Sequence, residues 1–323
     1  MSEALLEVRD LKKYFEVSAG TLHAVDGITF SIMKGETLGV VGESGCGKST
    51  LGRVILHLIE NTGGKIIFDK EDVSKVNRKK LSELRKQMQL IFQDPFSSLN
   101  PRMTIFQTIA EPMQIAGGYS KKDIEDRVYE IMDTVGLARR LVNSYPHELD
   151  GGRRQRIGIA RALVLNPKFV VCDEPVSALD VSIQAQVINL LLDIQEKMGL
   201  TYIFITHDLM VVKYISNKIM VMYLGQTVEL SETEELFAFP LHPYTKALLS
   251  AVPIPDIDHP QQRVQLKGEL TSPVNPKPGC RFAARCLYSE KKCFEEDPVL
   301  EEIRPGHMAA CHCIRKINSL PDK

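Results

Sequence analysis

An α/β fold around a parallel sheet is predicted for residues 1 to about 250 by three observations. Strand-like apolar runs alternate with helical periodicity, three of those runs end in polar residues, and a glycine-rich loop joins the first run to a helix. "ETLGVVG" (36–42) reads as a buried strand, and after "ESGCGKST" the apolar Leu51, Val54, Ile55 and Leu58 keep helical spacing. "KFVVCDE" (168–174) is a second buried strand ending in two acids, and "TYIFITHD" (201–208) a third ending in His and Asp. Between them, "VSIQAQVINLLLDIQEKMG" (181–199) has the pattern of a helix. In a parallel sheet the ligand site lies at the carboxyl ends of the strands, so one site assembled from distant segments is expected.

Composition narrows the class. The 323 residues suggest two domains at ~150 residues each. With 40 Lys+Arg against 41 Asp+Glu there is no overall electrostatic footprint for nucleic acid. Apolar runs such as "KIMVMYL" fall short of the ~18 residues of a membrane span. "MSEALLEVRDLKKYF" has neither the basic region nor the continuous apolar stretch of a signal peptide, so a reducing cytoplasm without disulfides is expected. A composition shift at Pro253, in "VPIPDIDHP" and "TSPVNPKPG", predicts a boundary between residues 1–252 and 253–323. No internal repeat or low-complexity tract is visible.

"GESGCGKS", Gly42 to Ser49, matches G-x-x-x-x-G-K-[ST] in a strand–loop–helix context, the signature of a phosphate-binding loop. Gly42, Gly45 and Gly47 let the backbone curl so that amide N–H groups face phosphate oxygens. Lys48 reaches the β and γ phosphates, and the Ser49 hydroxyl ligates Mg²⁺. Glu43, Ser44, Cys46 and Thr50 complete the nucleotide-contacting run; Cys46 is either packed against backbone or an alkylation-sensitive thiol. At the end of the second strand, Asp173 is placed to hold the Mg²⁺ shell and Glu174 to act as general base on the water that attacks the γ phosphate.

In their order, these motifs resemble the ATP-binding-cassette (ABC) family of transport ATPases over nearly all of residues 1–250. "IFQDP" resembles the Q-loop with Gln93, "ELDGGRRQR" stands where the family signature L-S-G-G-Q is expected, "SALD" (177–180) resembles the D-loop, and His207 the switch histidine. The resemblance implies that Gln93 senses Mg²⁺ and the attacking water, that Asp180 communicates between subunits and that His207 contacts the γ phosphate. It implies that an aromatic of "KKYF" stacks on adenine, with Phe15 favoured by its spacing from Leu11 and Tyr14 the alternative. Asp150, Gly151, Gly152 and Arg153 would face the ATP of a partner subunit, and residues 94 to about 165 would form a helical subdomain.

Three further strings, "QDPFSSLNPRMT" (93–104), "LFAFPLHPYTKALLSAVP" (236–253) and "LKGELTSPVNPKPGCRFAARC" (266–286), are similar to the oligopeptide/dipeptide importer branch, which includes nickel importers. That resemblance implies an ATPase peripheral to the cytoplasmic face of the membrane. Its partners would be a homologous ATPase subunit, two transmembrane permease subunits docking after the Q-loop, and an extracytoplasmic substrate-binding protein.

Cysteine usage is lopsided, with Cys46 and Cys172 isolated and the other five spaced C-x5-C-x6-C-x17-C-x-C in the tail. Thiolates in this number hold Zn²⁺ or an iron–sulfur cluster, or remain unliganded. The branch resemblance implies a 4Fe–4S cluster on Cys280, Cys286, Cys293 and Cys311, with Cys313 the spare or the replacement for Cys311; zinc on Cys ligands with His307 or His312 is the alternative. Two other readings remain open. Asp150 and Arg153 in the signature fit a hydrolysis-poor nucleotide-binding partner subunit. A soluble cassette of DNA repair or translation lacks the second cassette or coiled-coil insertion expected of it here.

Overall fold

The computed structural model describes residues 3–94, 96–252, 264, 266, 268 and 272–321. The boundary read at Pro253 lies outside the described residues. In chain order the strands are β1 (Ala4–Val17), β2 (Gly20–Met33), β3 (Thr37–Val41), β4 (Gly63–Phe68), β5 (Glu71–Asp72), β6 (Met88–Ile91), β7 (Phe169–Asp173), β8 (Thr201–Ile205), β9 (Lys218–Tyr223), β10 (Gln226–Glu232), β11 (Glu301–Arg304) and β12 (His307–Ala309). The helices are α1 (Lys48–Ile55), α2 (Arg78–Gln87), α3 (Ile105–Ala116), α4 (Lys121–Thr134), α5 (Gly151–Leu163), α6 (Val181–Met198), α7 (Leu209–Ile215), α8 (Thr233–Ala238), α9 (Pro243–Ser250) and α10 (Ile314–Ile317).

Two compact units result. The first comprises Met1–Leu5, Ile32–Glu36 and Lys75–Ile205. Its strands β6, β7 and β8 pair in parallel in that order, and β7 and β8 are buried throughout, which is why both read as continuous apolar runs. Helices α3, α4 and α5 pack together. Each starts on a side-chain cap. Thr104 with Gln107 and Ser120 with Asp123 form capping boxes, and the Asp150 carboxylate accepts the Arg153 N–H.

The second unit comprises Leu6–Ser31, Thr37–Ser74 and Thr206–Lys323. Here β3 runs parallel to β9, and β9, β10, β12 and β11 continue the sheet with antiparallel pairs. Residues 301–309 of the tail therefore extend the same sheet as the strand that leads into the glycine-rich loop. A core joins them, with Val41 of β3, Val221 of β9, Tyr244 of α9 and Phe282 of the tail in one buried cluster.

A second sheet, in the order β2-β1-β4-β5, was not legible in the sequence. Its strand β1 carries a register shift between Arg9 and Lys12, with Asp10 at φ 48°, so the period-two alternation that marks a strand is broken in its middle.

Fully buried His242 accepts the Tyr244 N–H at Nδ1 (3.1 Å), capping α9. Burial holds its pKa down at about 4, and the Glu229 charge recovers only part of the shift. The unfolded chain takes up this proton near pH 6.5, the folded chain only near 4. The stability due to neutral His242 is thus present above the unfolded value and is lost as pH falls toward the folded one. We expect about 2 kcal/mol of folding stability to go from this group between pH 7 and pH 5. Urea midpoints at the two pH values check this, and His242→Asn, which keeps an acceptor for the cap, should reduce the difference by that amount.

Candidate functional site

The glycine-rich loop is shaped by close backbone approaches. Gly42 follows the buried strand β3 at φ 152°, and a Cβ there would meet the Met222 carbonyl oxygen at 2.2 Å. Gly47, at φ 104°, starts α1, and its Cβ would lie 2.0 Å from the Ala24 carbonyl oxygen. Only glycine fits either position. Lys48 is 5% exposed and donates to the Gly42 and Glu43 carbonyls at 2.7 and 2.9 Å, so its charge is held inside the curve of the loop. Ser44 and Gly45 are exposed at the tip, while Ser49 and Thr50 occupy the partly buried first turn of α1. Burial pushes the Cys46 thiol up, against the opposing charge of Lys48; this cysteine is packed, as the plainer of its two sequence readings expects.

Glu43 is fixed twice. Its N–H donates to the Tyr244 hydroxyl (2.8 Å), and its carboxylate accepts from Arg285 Nη1 (2.8 Å). Neither partner was expected from the sequence. Nothing in the spacing of "HPYT" or "CRFAARC" says what the tyrosine or the arginines meet.

The two aromatics of "KKYF" separate in the structure. Tyr14 is committed to neighbours, its hydroxyl donating to Asp26 Oδ1 (2.5 Å) and its ring stacking on His23 at 4.0 Å. Burial raises the Asp26 pKa, but hydrogen bonds from Tyr14 and His23 and the Arg281 charge outweigh it and hold the carboxyl below its usual value. Phe15 is partly exposed, with the Lys13 ammonium over its ring at 4.7 Å. His207 is exposed and follows Thr206, whose N–H donates to Val40 of β3 (3.2 Å). Asp208 then caps α7 through the Met210 and Val211 N–H groups.

In the first unit, Asp173 is 3% exposed at the end of β7, and Glu174 follows with φ 47°. That left-handed conformation is costly for a residue with a Cβ, about 1–3 kcal/mol, and turns the chain sharply out of the strand. Gln93, 81 residues away in sequence, donates from Nε2 to Glu174 Oε2 (2.9 Å). Two residues assigned separate roles thus form one hydrogen-bonded pair. At the start of α5, Asp150 Oδ1 accepts the Arg153 N–H (2.8 Å) and Oδ2 lies 3.5 Å from Arg153 Nη1. Gly152 abuts Ile183, with room for no Cβ (2.8 Å), and Gly151 lies beside Leu179.

The tail cysteines depart from the expected quartet. Among the described residues no group of three or more His, Cys, Asp or Glu side chains is arranged to hold a metal ion. Cys280, Cys293, Cys311 and Cys313 do pack in one cluster, with Cys293 Sγ 3.9 Å from Cys313 Sγ. Cys313, the spare or the replacement for Cys311 in the sequence reading, stands at the start of α10 against Cys293, while Cys286 is packed on the core around Val41. Burial pushes Cys280 and Cys313 up to about 11 and Cys311 up to about 12, so these groups are neutral thiols as placed.

Comparison with known proteins resolves the family. The ABC transporter family matches residues 25–177, and the oligopeptide/dipeptide transporter C-terminal region matches residues 228–293. The chain is 51% identical over 320 residues to the oligopeptide transport ATP-binding protein AppF of Bacillus subtilis, covering 96% of this chain and 97% of that protein. The chain belongs to the ABC transporter ATP-binding subunits of the oligopeptide type. It is 53% identical over 311 residues to the oligopeptide transport ATP-binding protein OppF of Salmonella typhimurium, covering 93% of each. Among solved structures, cbiO1 of Clostridium perfringens, part of the ABC transporter complex cbiONQ, superposes with TM-score 0.66 at 30% identity, covering 73% of this chain and 92% of that one. The ATP-binding cassette MJ0796, solved as a dimer bound to ADP and Pi, gives 0.65 at 26% identity, covering 71% and 98%.

As an ABC ATPase, this subunit binds ATP with Mg²⁺ and couples its hydrolysis to transport. Glu174→Gln keeps the side-chain shape and the Gln93 contact while removing the carboxylate expected from the sequence to act as base. ATP should still bind, with hydrolysis down by ~10²-fold or more in a steady-state phosphate-release assay. Lys48→Ala should instead abolish nucleotide binding measured directly by equilibrium titration. Undiminished turnover in the first variant, or wild-type affinity in the second, would remove that residue from its role.

Proposed function

We propose that this chain powers peptide import, hydrolysing ATP at the cytoplasmic face of the membrane as a peripheral subunit of a permease complex. The observation that carries this reading is similarity at about half identity to oligopeptide transport ATP-binding proteins over 96% of the chain, including the transporter-specific C-terminal region. Nickel import has no comparable support. Among the described residues no helix is long and apolar enough to cross a membrane, which agrees with separate membrane-spanning subunits.

In the proposed chemistry the loop N–H groups, Lys48 and Ser49 hold the phosphates, and Phe15 rather than Tyr14 takes the adenine face, because Tyr14 is held by Asp26 and His23. Ser49, Gln93 and Asp173 would supply oxygen donors for Mg²⁺, which would neutralise phosphate charge. Glu174 accepts a proton from the attacking water, oriented by the Gln93 amide. Lys48 and His207 stabilise the charge that develops on the transferred phosphoryl group.

The active unit is a dimer with a homologous ATPase subunit, and an extracytoplasmic binding protein delivers the cargo. Two features of the first unit favour permease docking there. Phe92 and Phe96 are exposed on either side of Gln93 and Asp94, Phe96 at 66%, and α2 and α3 line a cleft of about 620 Å³ with Leu81, Arg85, Glu111 and Ile115. In the dimer, the signature of this chain faces the partner's ATP. Asp150 stands where a neutral hydroxyl is usual, but its carboxylate is turned to the Arg153 N–H and guanidinium.

The 4Fe–4S cluster, or Zn²⁺ in its place, rests on the branch resemblance and on five thiols gathered in one small tail. As placed the thiols form no ligand set, and no step of hydrolysis runs through them.

Three measurements test this reading. Co-expression with neighbouring permease genes should yield a co-purifying complex whose ATPase is stimulated by the peptide-loaded binding protein; stimulation by Ni²⁺-loaded receptor alone would overturn the peptide reading. Asp150→Ser with Arg153→Gln should raise turnover at the partner's site and leave this chain's own site unchanged, read with the Glu→Gln block placed in either subunit. Equal rates before and after would leave Asp150 as a helix cap only. Anaerobic protein carrying a cluster should be brown, with broad absorption near ~400 nm; colourless protein free of iron and zinc would assign the thiols to packing.

A further inference from the structure

The tail segment from Cys280 to Cys286 grips the phosphate loop at both ends. At the entry to the loop, Arg285 pairs with Glu43 at 2.8 Å, its guanidinium also within 3.5 Å of the Tyr223 hydroxyl, and only 11% of the arginine side chain is exposed. Phe282 packs against Tyr223 and Tyr244 at 5.3 and 5.4 Å, and Tyr244 accepts the Glu43 N–H. At the exit, Arg281 donates to the Leu224 carbonyl and pairs with Asp26. The next residue, Gly225, donates its N–H to the Cys46 carbonyl (2.8 Å) and accepts from the Asp26 N–H (2.8 Å). The strap is itself pinned, since the Cys280 N–H donates to the Cys293 carbonyl at 2.8 Å.

Glu43 is the consequential partner. It lies in the run whose function is to receive an anion, and a carboxylate left uncompensated there repels phosphate. Its neutralising charge comes from a residue 242 positions away, in the transporter-specific tail. We propose that Arg285 is a positioning residue for nucleotide binding, which neutralises and orients Glu43 so that the C-terminal tail sets the affinity of the phosphate loop for ATP. This rests on Gly42–Thr50 holding the phosphates. Arg285 acts through Glu43, while Arg281 steadies the turn that holds the far end of the loop.

The test is equilibrium titration of the full chain with a fluorescent ATP analogue and Mg²⁺, with thermal melting as a fold control. Arg285→Ala should weaken binding about tenfold, raising KM with kcat little changed, whereas Arg285→Lys, which retains the charge, should stay within about threefold of wild type. In the Arg285→Ala background, Glu43→Gln should recover most of the lost affinity, measured against the Glu43→Gln single variant. A role in folding alone predicts no such rescue. Arg285→Gln is the milder neutral variant if the alanine variant does not fold, and the same loss and rescue are expected. Unchanged affinity in the neutral variants, or a loss that Glu43→Gln does not recover, overturns the proposal. Lys48→Ala, run alongside, separates the two levels: if it too binds like wild type, the phosphate-loop reading has failed rather than the role of Arg285.

Discussion

The second unit depends on a run of backbone contacts that leaves the phosphate loop one conformation. Gly47 sits against the Ala24 carbonyl, the Cys46 carbonyl accepts from Gly225, and the Gly225 carbonyl accepts from Asp26. Residues of β2 and of the β9–β10 turn thereby clamp a loop that local sequence alone would leave open. Because the glycines admit this approach, the carbonyls of Gly42 and Glu43 converge on the Lys48 ammonium. The cost of burying a cation is offset by those two charge-assisted bonds.

The tail takes part in this clamp through a core it shares with β3, β9 and α9. Strands β11 and β12 extend the sheet beyond β10, and Phe282, Cys280 and Cys286 join the cluster around Val41. At the junction, fully buried Glu229 accepts from the Leu241 and His242 N–H groups, and its Oε1 lies 2.7 Å from Nε2 of fully buried His307. A buried carboxylate is tolerable only when its lone pairs are so occupied, and removing one partner is expensive. Small segments of this size usually borrow a core or a staple. This one borrows the core of the ATPase.

The first unit works by different means. Glu174 is held in a left-handed backbone conformation beyond a fully buried strand, and Gln93 meets its carboxylate from another strand end. The signature segment is set by helix capping and by two glycines against Leu179 and Ile183. Arg154, nearly buried beneath the exposed Phe96 ring at 3.6 Å, donates to the Pro146 and His147 carbonyls and so fixes the turn that precedes Asp150. An acidic residue in the signature is accommodated because the helix N-terminus and Arg153 both face it.

What the sequence by itself determined is what local pattern encodes. The three buried strands were legible because both faces of each are covered and their apolar runs are continuous. The phosphate loop was legible because its glycines and lysine stand at fixed spacing, and the family because its motifs occur in order. The antiparallel sheet escaped because a bulge at Asp10 erases the alternation of β1. In the tail, that Cys313 lies against Cys293 could not be read from the sequence, since spacing along an irregular chain does not say which thiols face each other. The pairing of Glu43 with Arg285, of Asp26 with Arg281, and of Gln93 with Glu174 was decided only by tertiary structure. Each joins residues 81 or more positions apart, and a charge or amide in sequence carries no mark of the partner that folding brings to it.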